Sequence, residues 1–254
     1  MFGPKTFKDH FSAGSADYAA HRPRYPLALA EELARISPGR ALALDCACGT
    51  GQLSTLLARH FGAVVATDAS PSQVANAEAC ERVTYRTVLA QESGLPGASA
   101  DLITVAQAAH WLELEKFYEE VRRVARPQAV VALIAYGVLH VDGPADPIMQ
   151  RFYSETVGPY WPPERRHVEE AYRNLPFPFR EVSLPMMQIE VQWMLQDLVG
   201  YVGTWSALTE ARKALGADPL ADFEEELRRA WGDPEGRRRV TWPLAVRAGI
   251  VESC

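Results

Sequence analysis

Two glycines and an aspartate lie at the ends of two short apolar runs in the first third of the chain. The stretch "LDCACGTGQLS", residues 44–54, places Gly49 and Gly51 after one apolar run and just before a helical pattern. Glycine there lets the backbone turn tightly and approach a ligand that a side chain would block. Asp68 ends the next apolar run, 17 residues after Gly51, where a carboxylate can accept hydrogen bonds from two ribose hydroxyls. The pattern predicts a site for a nucleoside-containing cofactor.

Asp45, at the mouth of the first apolar run, distinguishes between cofactors. A carboxylate there would repel the pyrophosphate of a dinucleotide, whereas it suits a cofactor that carries an ammonium group and a sulfonium. The glycine pair alone is a weak signal, because any tight strand–helix turn can use glycine and Ser54 stands at the third position. The alternatives are a purely structural turn and, for Asp45, a cap of a helix or loop.

Short apolar or β-branched runs alternate with helical patterns around these residues. Strands are predicted over residues 41–46, 63–67, 82–88, 101–106 and 128–136. Ser70, Pro71 and Gln73 supply an N-cap, a first-turn proline and a capping-box partner for the helix after the second strand. Strand and helix in alternation predict a mainly parallel sheet covered on both faces, which binds ligands at the carboxyl ends of its strands.

The flanks of this alternation are less regular. Residues 1–26 indicate a loop-rich leader, and a helix then ends at Ile36. Residues 142–179 are rich in proline and aromatic residues, which favours a partly exposed cap. Two further strands are predicted over residues 186–193 and 240–251, with helical segments at 198–215 and 220–231 between them.

Composition narrows the class of function. A chain of 254 residues with 48% hydrophobic composition fits one large domain, or a domain with an elaborated lid. A net charge of −6 and a pI of about 5.6 argue against a nucleic-acid surface and favour small-molecule chemistry. The start lacks an apolar signal region, and the longest nearly apolar run, residues 129–139, is too short to span a bilayer. We therefore expect a cytoplasmic protein with no membrane partner; the sequence does not indicate its oligomeric state.

The four cysteines match neither a disulfide-dense pattern nor two paired zinc motifs. They are expected to be small buried residues or free thiols, and no metal is predicted.

Several stretches together resemble one enzyme family. "DCACGTG" (residues 45–51), Asp68 and "AQAAHW" (106–111) are similar to class I S-adenosylmethionine-dependent methyltransferases of the type 11 group. Four further stretches resemble a branch related to trans-aconitate methyltransferases: "YAAHRPRYP" (18–26), "FYEEVRRVARP" (117–127), "GPYWP" (158–162) and "GYVGTWSA" (200–207). The likeness covers nearly the whole chain.

The resemblance implies an α/β fold. Its core is a doubly wound, Rossmann-like, seven-stranded and mostly parallel sheet with an antiparallel terminal strand pair and helical cap insertions. It implies a leader and helix over residues 1–36 that close over the cofactor, and a binding core over 37–140. Residues 141–254 then supply the cap insertions and the last two strands of the same domain.

The resemblance also implies the residues that hold S-adenosylmethionine. The methionine portion is lined by Asp45, Ala47, Gly49 and Gly51. The ribose hydroxyls bind Asp68, and the adenine is bordered by Ala69, Leu89 and Ala90. The floor below the sulfonium is formed by Gln107, Ala108 and His110, and the leader's Tyr18 and Arg22 close over the cofactor, with Arg22 facing its carboxylate.

Two positions depart from the family pattern. Ala47 stands where the family has its first glycine, and Leu89 stands where a polar residue often precedes the adenine-contacting alanine. The second change removes a side-chain contact to the adenine amine, so backbone groups or Gln91 must serve there.

The acceptor side is indicated by aromatic and basic residues. His110 and Trp111 open the loop after the fourth strand. They could line the site or take part in catalysis, or His110 could be a buried histidine that is hydrogen-bonded to the backbone. An acceptor with an apolar body and an anionic group is suggested by the group Trp161, Arg165, Arg166 and His167. Alternatively, Arg165 and Arg166 are a solvated pair with no role in binding. A carboxylate acceptor is ionised near neutral pH and needs no general base, and the sequence shows no dedicated one.

The leading hypothesis is therefore a methyltransferase that uses S-adenosylmethionine, releases S-adenosylhomocysteine and acts on a small molecule, with an organic acid carboxylate as the favoured acceptor. Two alternatives stay open at this point: a nicotinamide-dependent oxidoreductase on a similar sheet, and a cofactor-binding protein without catalysis.

Overall fold

A computed structural model describes residues 23–252, and its elements follow the predicted alternation of strand and helix. The first half contains α1 (Leu27–Ile36), β1 (Leu42–Cys46), α2 (Gln52–Leu57), β2 (Ala63–Asp68), α3 (Pro71–Ala75), β3 (Val83–Thr87), β4 (Ala100–Ala106), α4 (Leu114–Val124) and β5 (Ala125–Tyr136). The second half contains β6 (His140–Val141), α5 (Ala145–Arg151), α6 (Arg165–Glu169), β7 (Arg180–Val182), β8 (Met187–Trp193), α7 (Leu195–Gly203), α8 (Ser206–Leu215), α9 (Pro219–Trp231) and β9 (Arg238–Ile250). Short 3-10 or π-helical turns cover Ala109–Trp111, Phe152–Thr156 and Gly158–Tyr160.

One sheet joins these strands in the order β3-β2-β1-β4-β5-β9-β6, with β7 and β8 also paired to β9. Strands β1 to β5 are mutually parallel, whereas β9 runs antiparallel to β5. The doubly wound sheet with an antiparallel terminal strand is thus confirmed. The strand order reverses at β1 and β4, so the binding crevice of such a sheet lies at their carboxyl ends.

The number of strands differs from the predicted seven, because nine strands pair in the sheet within residues 23–252. Both β7 and β8 pair with β9, β7 at Ala248–Ile250 and β8 at Arg238–Leu244. They are therefore two short strands that pair with successive parts of the same neighbour. Pro185 lies between them and lacks the N–H that a continuous ladder needs. The short β6 adds a two-residue pairing with the other side of β9.

Both faces of the sheet are buried, as the unbroken apolar run of β5 requires. Val130, Ala132 and Ile134 belong to the core cluster that packs on α1, α2 and the helices after β8. Val131 and Leu133 belong to the opposite cluster, which includes the apolar stripe of α4. Successive strand residues point to opposite faces, so only a sheet covered on both sides buries all of them.

Two predicted helix details have different outcomes. The Ser70 hydroxyl accepts a hydrogen bond from the backbone N–H of Gln73 at 3.4 Å, which confirms the predicted N-cap of α3. The helical segment predicted over residues 198–215 is two helices, α7 and α8, broken at Thr204 and Trp205. Gly203 ends α7, and glycine is a weak helix former.

A buried carboxylate holds the amino edge of the sheet, opposite the predicted crevice. Asp101, at the start of β4, accepts hydrogen bonds from the backbone N–H groups of Ala41 and Leu42 at 2.7 and 3.1 Å. Arg126 pairs with the same carboxylate at 3.2 Å.

Within residues 23–252, no helix is both long and apolar enough to cross a membrane.

Candidate active site

The loop between β1 and α2 is a tight turn with three left-handed residues. The φ angles are 51° at Ala47, 56° at Gly49 and 85° at Gly51. The backbone N–H of Cys48 donates to the carbonyl oxygen of Thr67 in β2 at 3.0 Å, and that of Gly51 donates to the carbonyl oxygen of Cys48 at 3.0 Å. The turn is thus closed on itself and fixed to the carboxyl end of the neighbouring strand.

Asp45 lies beneath this turn and is buried, with 1% of its surface exposed. Its carboxylate accepts hydrogen bonds from the hydroxyls of Thr104 at 2.7 Å and Ser54 at 2.6 Å. Burial raises the pKa of Asp45 to about 6, against the opposing effect of the two hydroxyl donors. The Ser54 hydroxyl explains the serine at the third position of the motif, because a glycine there could not donate a hydrogen bond to Asp45.

Asp68, the last residue of β2, ties the turn to the next loop. Its Oδ2 accepts a hydrogen bond from the backbone N–H of Gly49 at 2.9 Å, and its Oδ1 accepts one from that of Ser70 at 2.8 Å. The structure thus brings the two predicted motifs together at one edge of the sheet. Ala69, between these contacts, is half-buried.

Gly51 is in contact with a residue that no motif marks. A Cβ atom built on Gly51 would lie 2.1 Å from the hydroxyl oxygen of Tyr85. That hydroxyl donates to the carbonyl oxygen of Glu78 at 2.8 Å, which fixes the ring against the turn. Gly51 is therefore required by the protein's own packing as well as by its left-handed backbone.

The segment after β3 lies beside the same edge. The backbone N–H of Val88 donates to the carbonyl oxygen of Asp68 at 3.1 Å. Leu89 follows with 39% of its surface exposed, and Ala90 is buried. An exposed apolar side chain at this place gives a flat base a surface to pack on.

The chain leaves β4 through another left-handed residue, Gln107, whose φ is 57°. Its backbone N–H donates to the carbonyl oxygen of Ile134, and its amide nitrogen donates to that of Tyr136 at 3.3 Å. Half-buried Ala108 then precedes the turn Ala109–Trp111. Gln107 thus links the carboxyl ends of β4 and β5.

His110 is held against the insert that follows β5. Its Nδ1 lies 2.9 Å from the hydroxyl oxygen of Tyr172, and its ring lies 4.8 Å from that of Trp111, centroid to centroid. Burial lowers the pKa of His110 to about 3, and the neighbouring Arg165 and His167 act in the same direction. His110 is therefore uncharged near neutral pH, and its partner is a phenol rather than backbone.

Arg165 and Arg166 are in different surroundings, although they were predicted as one group. The Arg165 guanidinium lies 4.9 Å from the ring centroid of Trp161 and 5.7 Å from that of Tyr153, whose hydroxyl accepts from its Nε at 3.0 Å. Arg166 is exposed. Trp205 packs on both rings of this group, with centroids 5.4 and 5.6 Å away. Only Arg165 thus sits in an aromatic cage near His110.

The aromatic cage contains an unsatisfied donor. The indole Nε1 of Trp161 is buried, and no residue within 23–252 accepts its hydrogen bond. The Nδ1 of His167 is likewise buried without a partner in this part of the chain. Buried polar groups without a partner are costly, so a native structure that keeps them calls for an explanation such as a ligand.

Sequence reasoning missed several residues of this site: Tyr85, Thr104, Tyr153, Tyr172 and Trp205. Thr104 carried a usable signal, since it is a lone hydroxyl in the apolar strand ADLITVA. Tyr153 and Tyr172 belong to the aromatic-rich segment 142–179, whose pattern favours a cap without singling out either residue. The predicted cofactor residues Tyr18 and Arg22 lie outside the described residues.

Replacing Ala47 by glycine should stabilise the protein by about 1 kcal/mol, because glycine removes the left-handed strain that a Cβ atom causes. Urea denaturation measures this change. Ala98→Gly is the matched control, since Ala98 has a φ of 50° in the loop before β4. A destabilised Ala47→Gly beside a stabilised Ala98→Gly would contradict the argument.

Comparison with known proteins agrees with this geometry. The family model of the methyltransferase domain matches residues 44–133, which span the turn, β2 and β4. A candidate methyltransferase from Dictyostelium discoideum is 33% identical over 241 residues, covering 93% of this chain and 92% of that protein. A solved structure of a candidate type II methyltransferase from Anaeromyxobacter dehalogenans is 48% identical, with a TM-score of 0.88, covering 92% of this chain and 99% of the other.

A more distant relative has a cofactor in its name. The probable S-adenosylmethionine-dependent methyltransferase of Saccharomyces cerevisiae is 29% identical over 142 residues, or 52% of this chain and 49% of that protein. The chain thus spans about half the length of that relative. The full-length matches and the site geometry agree with the resemblance found in the sequence. The chain belongs to the class I S-adenosylmethionine-dependent methyltransferases.

Proposed function

We propose that this methyltransferase transfers the methyl group to a carboxylate of a small organic acid. The observation that carries the proposal is the caged guanidinium of Arg165, beside the buried and unsatisfied indole N–H of Trp161. Arginine binds carboxylates through paired hydrogen bonds, and aromatic walls suit an apolar body. The net charge of −6 supports a small-molecule acceptor rather than a nucleic acid.

The cofactor fits the crevice at the carboxyl ends of β1 and β4. Asp45 forms no ion pair with a lysine or arginine of residues 23–252, and its raised pKa marks a carboxylate without a compensating cation. A ligand that brings an ammonium group and a sulfonium compensates that charge. We assign the methionine portion to Asp45, Ala47, Gly49 and Gly51.

The rest of the cofactor follows the same edge of the sheet. Asp68 takes the ribose hydroxyls, because a carboxylate at the carboxyl end of the second strand can accept hydrogen bonds from both of them. We assign the adenine to Ala69, Leu89 and Ala90, and the floor below the sulfonium to Gln107, Ala108 and His110. Tyr18 and Arg22 remain proposed lid residues. Trp111, Trp161 and Arg165 are proposed acceptor residues, whereas exposed Arg166 has the weakest support.

When bound, S-adenosylmethionine supplies a methyl group that is already activated. The task of the chain is then to hold an acceptor oxygen in line with the methyl group and to exclude water. Arg165 would orient the carboxylate, and the rings of Tyr153, Trp161 and Trp205 would exclude water. A carboxylate is ionised near neutral pH, so the transfer requires no general base.

Cofactor affinity should rise about tenfold between about pH 5 and pH 7, because binding of a cation favours ionised Asp45 and releases its proton. The pKa of Asp45 is raised to about 6 in the folded chain without ligand. Protonation therefore stabilises that form, and this contribution to stability is lost as the pH rises through about 6. Calorimetry of S-adenosylmethionine binding in buffers of different ionisation enthalpy measures the released proton.

Asp45→Asn is the matched variant for this prediction. It should bind the cofactor more weakly, with an affinity that no longer changes across this pH range, and should be more stable than wild type at pH 7 without ligand. An unchanged pH profile in the variant would show that another group releases the proton.

A panel of small organic acids, amines and phenols tests the acceptor, scored by release of S-adenosylhomocysteine. We expect turnover of acids, with a loss of about 100-fold in kcat/KM for Arg165→Ala, the scale for removing a charged partner from a partly buried site. Arg166→Ala is the control and should stay near wild type, while Arg165→Lys keeps the charge without the paired geometry. Activity confined to amines or phenols, or unaffected by replacing both arginines with alanine, would overturn the proposal.

A further inference from the structure

Tyr172 is held beneath His110 by an unusual backbone. Ala171 and Tyr172 are consecutive left-handed residues, with φ angles of 56° and 60°, and neither is glycine or asparagine. The backbone N–H of Tyr172 donates to the carbonyl oxygen of His167 at 2.8 Å, and its own carbonyl accepts from Arg247 at 2.9 Å. Strain that surrounding contacts maintain is typical of functional positions. The fold thus places this phenol at one defined point.

The hydrogen bonds of the Tyr172 hydroxyl define where its proton lies. The ring is buried, with 1% of its surface exposed, and the hydroxyl oxygen lies 2.9 Å from Nδ1 of His110. Burial raises the pKa of the Tyr172 phenol, against a smaller opposing effect of the Ala109 backbone, so the phenol keeps its hydrogen near neutral pH. The single hydroxyl hydrogen is then donated to Nδ1, because no other acceptor among residues 23–252 is bonded to it.

A neutral imidazole that accepts at Nδ1 carries its hydrogen on Nε2. The Nε2 atom forms no hydrogen bond with any residue from 23 to 252, and the side chain of His110 is half-buried. An available N–H thus lies in the neighbourhood of Arg165.

We propose that the Tyr172 hydroxyl fixes His110 as an uncharged Nε2–H donor, and that this N–H binds the carboxylate of the methyl acceptor. This inference rests on the proposed function. His110 is then a positioning residue for the acceptor and not a general base, because its accepting nitrogen is occupied by Tyr172.

The role fits the electron balance of the transfer. One acceptor oxygen forms the new O–C bond, the S–C bond breaks, and its electron pair stays on sulfur. No proton moves. A donor on the second oxygen orients the carboxylate and leaves the lone pairs of the attacking oxygen available for the methyl group. A charge-neutral donor also leaves Arg165 as the partner for the negative charge.

The groups that face His110 favour this state. Arg165 and His167 on α6 oppose a second proton on the ring, as does burial, while Trp111 and Tyr172 contribute only uncharged rings. His110 therefore keeps the same protonation state from mildly acidic to mildly basic conditions.

Nitrogen NMR of the full chain, labelled at its six histidines and saturated with S-adenosylhomocysteine, tests the tautomer directly. The His110 signals are assigned by their loss in His110→Gln. We expect an unprotonated Nδ1 and a protonated Nε2 from about pH 5.5 to 8.5, and loss of this single pattern in Tyr172→Phe. Titration of His110 within that range, or a proton on Nδ1, would overturn the proposal.

Kinetics with the best organic acid tests the contact. A glutamine amide nitrogen lies near the position of Nε2, and an asparagine amide nitrogen lies near that of Nδ1. His110→Asn should therefore raise KM for the acceptor about fivefold to tenfold more than His110→Gln, with similar cofactor affinity in both. Equal KM values would overturn the contact. If wild type methylates no acid, the proposed function fails, and with it the carboxylate contact, while the spectra still decide the tautomer.

Discussion

Replacing Gly51 by valine should abolish measurable cofactor binding, a loss of about 100-fold or more, because the side chain would enter the cofactor's path and displace the turn. The structure adds a second cause, since a Cβ atom at Gly51 lies 2.1 Å from the Tyr85 hydroxyl and the backbone φ is 85°. Strain and overpacking together should lower the free energy of unfolding by about 2–4 kcal/mol. Calorimetry with S-adenosylhomocysteine and urea denaturation measure the two effects.

Two variants separate these causes. Gly216, at the end of α8, has a φ of 65°, and no atom of residues 23–252 lies within 4 Å of a new Cβ, so Gly216→Val should lose stability but keep wild-type affinity. In Gly49→Ala the new Cβ would meet only Gln73 among the described residues, at an ordinary contact distance of 3.7 Å, so the variant should fold and still bind the cofactor poorly. Wild-type affinity in a folded Gly51→Val protein would show that the cofactor does not approach this turn.

Replacing Asp68 by alanine should weaken cofactor binding by about 1–3 kcal/mol, or roughly 5- to 150-fold, the scale for losing charge-assisted hydrogen bonds in a partly buried site. The effect has two sources, because Asp68 also holds the backbone N–H groups of Gly49 and Ser70. Calorimetry with S-adenosylhomocysteine measures the affinity.

Asp101→Ala is the matched control for this variant. Asp101 also accepts two backbone N–H groups, but at the amino edge of the sheet, so its loss should reduce stability and leave cofactor affinity unchanged. Equal affinity of folded Asp68→Ala and wild type would remove Asp68 from the cofactor site.

The meeting of the cofactor motifs at one edge was predictable from the sequence. Each motif follows an apolar run, and the carboxyl ends of parallel strands lie at the same edge of a sheet. The partners of Asp45 were not predictable in this way. Thr104 lies opposite Asp45 in the pairing of β1 with β4, and that register is fixed by tertiary packing rather than by any local pattern.

The acceptor side was less predictable, because it depends on the orientation of short helices. Arg165 and Arg166 are neighbours on α6, where successive side chains point about 100° apart, so only one of them faces the rings. Their sequence alone does not indicate which. The left-handed pair Ala171–Tyr172 also has no sequence signal, since neither residue type favours that conformation. Contacts from distant residues such as Arg247 maintain it.

The central claim, methyl transfer to a small organic acid, is tested most directly by mass spectrometry of a metabolite extract incubated with the protein and methyl-labelled S-adenosylmethionine. We expect labelled products that lose the label as methanol in mild alkali, which is the behaviour of methyl esters, and that disappear with Arg165→Ala. Label found only in alkali-stable products such as methylated amines or phenol ethers, or in no small molecule, would contradict the claim.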